Sequence, residues 1–315
     1  MSVWQILLAV CAAVTLFLYG LTGFSREVQA TGGPRLQAWL QRATRRWWTG
    51  FGLGAGATLL VQSSSATTSL TVALVDAGAI TLGNSLPVML GANVGTTATA
   101  WLVSFKLTGI GALCIVLGGV LGLLPVRWHV IGKPIFYFGL IFFGLDLMAS
   151  AMTPLRQSEF LRHALLLTEN PWLGLLVGAV ATAVIQSSSA TSGLAVVLVA
   201  EGVLTPAAAI PVVIGANIGT TTTALLASVT LSGAARRAAA WNTLFNLSGV
   251  ALISPVLPAF SAWAVAQTSS PGMAVALAHT VFNFAVALLF IGPCVAWERR
   301  RARGAEAVPR PPLAA

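Results

Sequence analysis

Two short polar strings occur twice in this sequence. Gln62-Ser63-Ser64-Ser65 recurs as Gln186-Ser187-Ser188-Ser189, and Gly91-Ala92-Asn93-Val94-Gly95-Thr96-Thr97 recurs as Gly215-Ala216-Asn217-Ile218-Gly219-Thr220-Thr221. Three hydroxyls placed before an apolar helical run (66–75, 190–200) suit a helix N-terminus. Serine is a favoured N-cap, and first-turn N–H groups carry partial positive charge. Two such ends converging from opposite sides make an anion site. Gln62 and Gln186 each add a carbonyl acceptor and an amide donor. The second string offers oxygen ligands for a small cation: the amides of Asn93 and Asn217 and the hydroxyls of Thr96, Thr97, Thr220 and Thr221. Its glycines, with Pro87 and Pro211 upstream, predict local unwinding that frees backbone carbonyls. No lysine or arginine lies near either serine string, so an oxyanion there needs countercharge, and bound sodium ions would supply it.

The elements that hold these strings are membrane elements. Of the 315 residues 57% are hydrophobic and 8% charged, and mean hydropathy is +0.86. A soluble domain carries about 25% charged residues. Long apolar stretches exclude a β-barrel, whose strands are short and alternating. The strings are 124 positions apart in both cases, and the same offset relates Gly20 to Gly144, Trp48 to Trp172, Thr58 to Thr182, Gly78 to Gly202 and Pro87 to Pro211. The chain therefore contains a duplicated unit. The expected fold is an all-α polytopic membrane protein of inverted repeats, each with a re-entrant helical hairpin. About seven full spans fall near 2–24, 82–105, 107–126, 131–152, 206–231, 238–257 and 272–297, and the hairpins near 48–80 and 172–204. Residues 1–126 form repeat 1, 127–257 repeat 2, 258–297 a final membrane helix and 298–315 a basic cytoplasmic tail. With the N-terminus outside, 14 of the 17 basic residues fall inside, leaving Lys106, Arg156 and Arg162 outside. The three full spans between repeat starts invert the second copy, as in secondary transporters.

The net charge of +9 sits in loops and in the tail from Arg299, a membrane pattern that argues against nucleic acid. Cys11, Cys114 and Cys294 lie in apolar spans without metal-ligand spacing. No nucleophile–base pair or carboxylate dyad marks an enzyme. Asp146, inside a predicted span, is a supporting cation ligand or coupling residue, although Thr22 holds its place in repeat 1. Asp76 and Glu201 fall at the hairpin exits and read as interfacial. Asn242-Thr-Leu-Phe-Asn246 and His279-Thr-Val-Phe-Asn283 match one another, with polar positions four apart on one helix face. Asn242, Asn246, His279 and Asn283 either support the site or bond neighbouring helices. No other feature supports His279 as a proton relay.

The paired QSSS strings, the paired GAN-x-GTT strings and the closing Ala278-His-Thr-Val-Phe-Asn283 resemble the type II sodium–phosphate cotransporter family in its bacterial branch. The resemblance spans roughly residues 10–297. It implies a plasma (inner) membrane carrier that moves inorganic phosphate with sodium by alternating access, with Gln62–Ser65 and Gln186–Ser189 in the substrate site. It implies no cofactor beyond the co-transported sodium, and the lipid bilayer as surroundings for a monomer or homodimer. Export, proton coupling, or carriage of another oxyanion such as sulfate are the alternatives. The sequence departs from the family at Asn242, where histidine is frequent. Many bacterial members continue into a PhoU-like domain, where this sequence has the Arg/Pro/Ala tail 299–315; regulation through such a domain is expected to be absent or supplied in trans.

Overall fold

A computed structural model of the protein describes residues 3–43, 46–105, 109–124, 126–152 and 170–306. Arg45, Lys106, Arg156, Arg162 and Arg310, used above to orient the chain, lie outside these residues. Among the described residues every regular element is helical. They are α1 (Val3–Ala43), α2 (Trp47–Val61), α3 (Ser64–Asp76), α4 (Leu82–Ser104), α5 (Ile110–Leu123), α6 (Val126–Met152), α7 (Pro171–Ile185), α8 (Ser188–Ala200), α9 (Pro206–Ser228), α10 (Gly233–Ile253), a 3-10 turn (Ser254–Val256), α11 (Leu257–Ala266) and α12 (Pro271–Glu306).

The duplication extends to single residues. α2, α3 and α4 reappear as α7, α8 and α9 with both ends of each displaced by 124 positions. The local chemistry at those ends repeats as well. Thr81 and Thr205 cap α4 and α9, each hydroxyl accepting an N–H at 3.2 Å, from Asn84 and Ala208. Gly78 and Gly202 turn the chain after α3 and α8 at φ 67° and 68°, the left-handed region that favours glycine.

Two layers of contact place the polar strings. α2 packs along α4, and α7 packs along α9. A Cβ on Gly54 would overlap the Val88 carbonyl oxygen, and one on Gly178 the Val212 oxygen; Gly91 and Gly215 meet the Phe51 and Leu175 oxygens in the same way. Helix backbones approach this closely only where side chains are absent. The glycines therefore do not unwind the motif helices. α4 and α9 run unbroken through Gly91–Thr97 and Gly215–Thr221, with Pro87 and Pro211 inside them. The expectation of exposed carbonyls there is corrected: missing Cβ atoms serve close packing instead. In the second layer α3 packs on both α4 and α9, and α8 packs on both α9 and α4.

Six described stretches are long and apolar enough to cross a bilayer: Trp4–Ala30, Leu82–Ser104, Val130–Ala151, Pro206–Ser228, Gly233–Ala266 and Pro271–Trp297. The span expected near 107–126 is not one of them. α5 has 14 residues, a rise of about 21 Å against a hydrocarbon core of about 30 Å. It starts only after Gly109, whose φ of 81° is non-helical, and residues 106–108 and 125 lie outside the described set. α5 lies against α6, and α6 against α1, where the repeat mates Gly20 and Gly144 face the Ile141 and Phe17 backbone nitrogens. Lys133 Nζ reaches Glu27 Oε1 at 3.5 Å across the α1–α6 pair.

Close backbone packing has a direct test. Gly91→Ala, which forces a methyl onto the Phe51 carbonyl, is expected to destabilise the fold by roughly 1–3 kcal/mol and lower the thermal midpoint in detergent. Gly52→Ala, on the same α2–α4 pair but with open space around it, is expected to leave that midpoint unchanged.

Candidate functional site

Each serine string breaks a helix. α2 stops at Val61, Gln62 turns at φ 55° and ψ 27°, Ser63 is extended at φ −146°, and α3 begins at Ser64. Gln186 (φ 61°, ψ 24°) and Ser187 (φ −150°) reproduce this between α7 and α8. Among the described residues, Gln62 and Gln186 are the non-glycine residues with positive φ. Such a conformation costs a residue with a Cβ about 1–2 kcal/mol, which glycine would avoid. The glutamine side chains give the reason to keep it. Gln62 Nε2 donates to the Leu59 carbonyl, and its Oε1 accepts from Thr99 Oγ1 at 2.7 Å. Gln186 does the same with Ala183 and with Thr223, again at 2.7 Å.

The two arms of each break are tied near the tip. Thr58 Oγ1 donates to Thr67 Oγ1 at 3.2 Å, and Thr182 Oγ1 to Thr191 Oγ1 at 2.9 Å. Ser63 and Ser187 cap the second arms, accepting from the Ala66 and Ala190 N–H at 3.2 Å each. The first intrahelical bonds are Thr67 N–H to Ser63 O and Thr191 N–H to Ser187 O, both 3.2 Å. The N–H groups of Ser64, Ser65, Ser188 and Ser189 precede them and are the donors a helix start leaves for a ligand. Ser64, Ser188 and Ser189 are buried, whereas Ser63, Ser65 and Ser187 are half-buried. α2, α3, α7 and α8 contain no lysine or arginine. The arrangement can bind an anion through neutral donors and helix ends.

The second strings use their hydroxyl protons and amide N–H groups inside the protein. Thr96 and Thr220 donate their hydroxyl protons to the Ala92 and Ala216 carbonyls, and Thr97 and Thr221 to those of Val94 and Ile218. Their lone pairs stay available. Asn93 Nδ2 donates to Asn246 Oδ1 at 3.3 Å, while Asn217 Nδ2 donates to the Val213 and Ile214 carbonyls at 3.2 Å. With both amide nitrogens engaged, the Asn93 and Asn217 oxygens are set to accept or to coordinate. All of these side chains are buried.

The remaining predicted residues fall into two groups. Asn246 Nδ2 donates to the Asn242 carbonyl at 2.8 Å, and Asn283 Nδ2 to the His279 carbonyl at 2.9 Å, so both TxFN segments bond alike. Asn246 thereby links α10 to the Asn93 string. The carboxylates lie elsewhere. Asp146 Oδ2 accepts from the Gly109 N–H at 3.3 Å, at the start of α5. Asp76 Oδ1 accepts from the Ser232 N–H at 2.7 Å, joining the end of α3 to the start of α10. That N–H, with the Ser232 hydroxyl beside it, holds the Asp76 carboxyl below its usual range.

The sequence pattern of the Na+/Pi-cotransporter family matches this chain twice, over residues 16–150 and 147–292. The chain belongs to the Na+/Pi-cotransporter family. It is therefore a multi-pass membrane protein of a transporter family, and each match contains one QSSS string and one GAN-x-GTT string. It is 31% identical to YqeW of Bacillus subtilis (strain 168) over 292 residues, covering 91% of this chain and 94% of that protein. It is 34% identical over 252 residues to YjbB of Escherichia coli (strain K12), which is named as a candidate inorganic phosphate export protein. That match covers 79% of this chain and 46% of YjbB, so the chain spans about half of that relative. The sodium-dependent phosphate transport protein 2B of Homo sapiens matches at 34% over 138 residues, 40% of this chain and 20% of that protein. No solved structure matches the chain.

Two residues bonded to the candidate site escape a reading by motif. Thr99 and Thr223 lie just beyond the matched strings, among other threonines, and only the 124-residue register marks them as a pair. The structure makes them the donors that fix the tip glutamines. Gln62 is 9% exposed, whereas Gln186 is exposed. Thr99→Val therefore strands a buried amide oxygen, at about 1–3 kcal/mol, and should lower the thermal midpoint. Thr223→Val should do less, because water can replace its hydroxyl at Gln186. The Asp76 tie gives a pH test. A carboxyl whose folded pKa is depressed contributes stability above its unfolded pKa and loses it as pH falls through the folded value. Asp76→Asn should lower the thermal midpoint at pH 7, and the difference from wild type should vanish in acid.

Proposed function

We propose that this protein is a sodium-coupled secondary transporter of inorganic phosphate that works by alternating access. The observation that carries this reading is the duplicated helix break. Two capped helix starts, free of basic side chains, stand in equivalent places in the two repeats, and their second arms pack between the same two motif helices. Ser63, Ser64, Ser65, Ser187, Ser188 and Ser189 bind the phosphate through hydroxyls and first-turn N–H groups. Gln62, Gln186, Asn93, Thr96, Thr97, Asn217, Thr220 and Thr221 bind sodium or complete the cage. Coupling follows from electrostatics: a phosphate dianion without a cationic partner is costly to hold at the membrane midplane, and sodium ions remove that cost. The α2–α3 and α7–α8 pairs enter from opposite sides as re-entrant hairpins. Their 15- and 13-residue arms rise only about 22 and 20 Å, less than a full crossing. They move against the remaining helices to open the site to each side in turn. The N-terminus lies outside and the basic C-terminus inside the plasma membrane.

The name of YjbB favours a second reading, net phosphate export. The same site serves either direction, because gradients set the sign of flux. Proteoliposomes separate these readings. Phosphate uptake should require an inward sodium gradient, should not be supported by potassium, and should not be blocked by sulfate. Ser64→Ala and Ser188→Ala each remove a hydroxyl that meets a charged ligand, a loss of roughly tenfold or more in apparent phosphate affinity. Uptake untouched by both changes contradicts the site. Phosphate flux indifferent to sodium contradicts the coupling and favours the exporter.

A further inference from the structure

His279 is the buried titratable group that the phosphate and sodium sites leave unused. It is fully buried on α12, and neither ring nitrogen has a hydrogen-bond partner among the described residues. Three other orphaned polar atoms fit a pattern with it. Thr68 Oγ1 on α3 and Ser192 Oγ on α8 are exact repeat mates at the 124-residue offset, both buried and unpartnered. Asn242 Oδ1 on α10 is buried and unpartnered too, and it occupies in its TxFN segment the place that His279 occupies in the other.

Helix packing pairs the helices that carry these atoms in two matching crossings. α3 packs on α10, and α8 packs on α12. Thr68, Val72 and Asp76 lie on one face of α3, and Asp76 is bonded to Ser232 at the start of α10. Ser192 and Val196 lie on one face of α8, and Val196 Cγ1 is 3.2 Å from where a Cβ of Gly272 would stand on α12. Two turns along α12 from Gly272, on the same face, comes His279. The helices of one pair thus carry an unpartnered hydroxyl and an unpartnered amide oxygen, which do not titrate. Those of the other carry a hydroxyl and an imidazole, which does.

The surroundings decide what that imidazole can do. α4, α8, α9 and α11, which pack on α12, contain no acidic, basic, cysteine or tyrosine side chain. α10 contributes Arg236 and Arg237, both exposed at its start; α12 itself has Cys294 farther along its apolar run and, beyond that run, two glutamates and four arginines between Glu298 and Glu306. The first carboxylate on these elements, Glu298 of α12, stands 19 residues and about 28 Å of helix rise beyond His279, too far to neutralise an imidazolium there. A positive charge at His279 is then favoured only when an anion enters the core.

We propose that His279, with Ser192 at the same crossing, is a proton-binding site whose proton is taken up together with the transported anion. Asn242 with Thr68 is its non-titrating counterpart in the other half. The proton comes from solvent, occupies the acceptor nitrogen of the ring, and leaves when the anion leaves. The anion half of this proposal rests on the phosphate-transport reading; the proton half does not.

The test is the number of protons taken up per inorganic phosphate bound, measured near pH 6.5 by calorimetry in buffers of different ionisation heat, on purified full-length protein with sodium present. Phosphate's own titration is common to all variants and cancels in the comparison. Wild type should take up measurably more protons per phosphate than His279→Asn, which places at 279 the residue the fold already accepts at 242. Asn242→His, which keeps His279, should take up more than wild type. Equal proton counts in all three overturn the proposal. Should His279→Asn bind no phosphate, the Asn242→His comparison decides alone, and no gain over wild type overturns it. Carbon NMR of the imidazole, in protein carrying His129→Gln and His163→Gln, separates the two readings. A ring that protonates in acid while phosphate never binds contradicts the anion reading and keeps the proton site. A ring that stays neutral in saturating phosphate at pH 6 contradicts the proton site and keeps the anion reading.

Discussion

A helix that begins inside a packed apolar core leaves N–H groups that its apolar neighbours cannot satisfy, and the structure around it answers to that constraint. The protein makes two such beginnings, at Ser64 and at Ser188, and satisfies each only in part. One donor of each goes to the capping serine hydroxyl, the next to the serine carbonyl, and the first two are left over. Unsatisfied donors in hydrocarbon cost several kcal/mol each by order of magnitude. A site that tolerates them must be closed to lipid and must offer them something else to bind. The first condition is met by construction, since the second arms carrying these ends are packed between α4 and α9.

Holding the breaks in shape takes a chain of small, cheap contacts. The left-handed glutamines are strained, and each is restrained on both sides of its amide, by its own helix through Nε2 and by a threonine of the motif helix through Oε1. The threonine can reach because α2 lies against α4, and α7 against α9, with glycine at the contact. Threonine pairs then close the two arms on each other. Removing one member leaves others of the chain unpaired. The copies differ where surroundings differ. Gln62 is buried behind α1, α4 and α6, while Gln186 is exposed, so the two halves are not interchangeable in energy although they are in geometry.

The breaks themselves are legible in the sequence. A polar QSSS inside an apolar run, repeated at a constant offset, can sit nowhere but at a helix end, and the offset predicts the partner residues one by one. The glycines of Gly91–Gly95 and Gly215–Gly219 are less legible. Glycine weakens a helix and also removes a Cβ, and nothing in one strand of sequence says which effect is used; the carbonyls of Phe51, Ala55, Leu175 and Ala179, on the other helix, decide for packing. Thr99 and Thr223 are hidden among neighbours of the same type, and their role exists only in the paired helix. The short α5 is misjudged for a related reason: hydropathy counts Leu107 and Val126 toward a span, but the helix starts only after Gly109. Asp76 reads as interfacial by position, and its bond to a backbone N–H 156 residues away in sequence is visible only in the fold.

The central claim is that the two helix starts serve one anion. Phosphorus–nitrogen dipolar couplings in the solid state, from phosphate bound to protein labelled at its serine amide nitrogens and reconstituted in lipid, measure this most directly. The account predicts couplings of hydrogen-bond strength from a single phosphate to amides of both serine strings, lost from one string when its middle serine (Ser64 or Ser188) is replaced by alanine. A phosphate coupled to one string alone, or to neither, would contradict it.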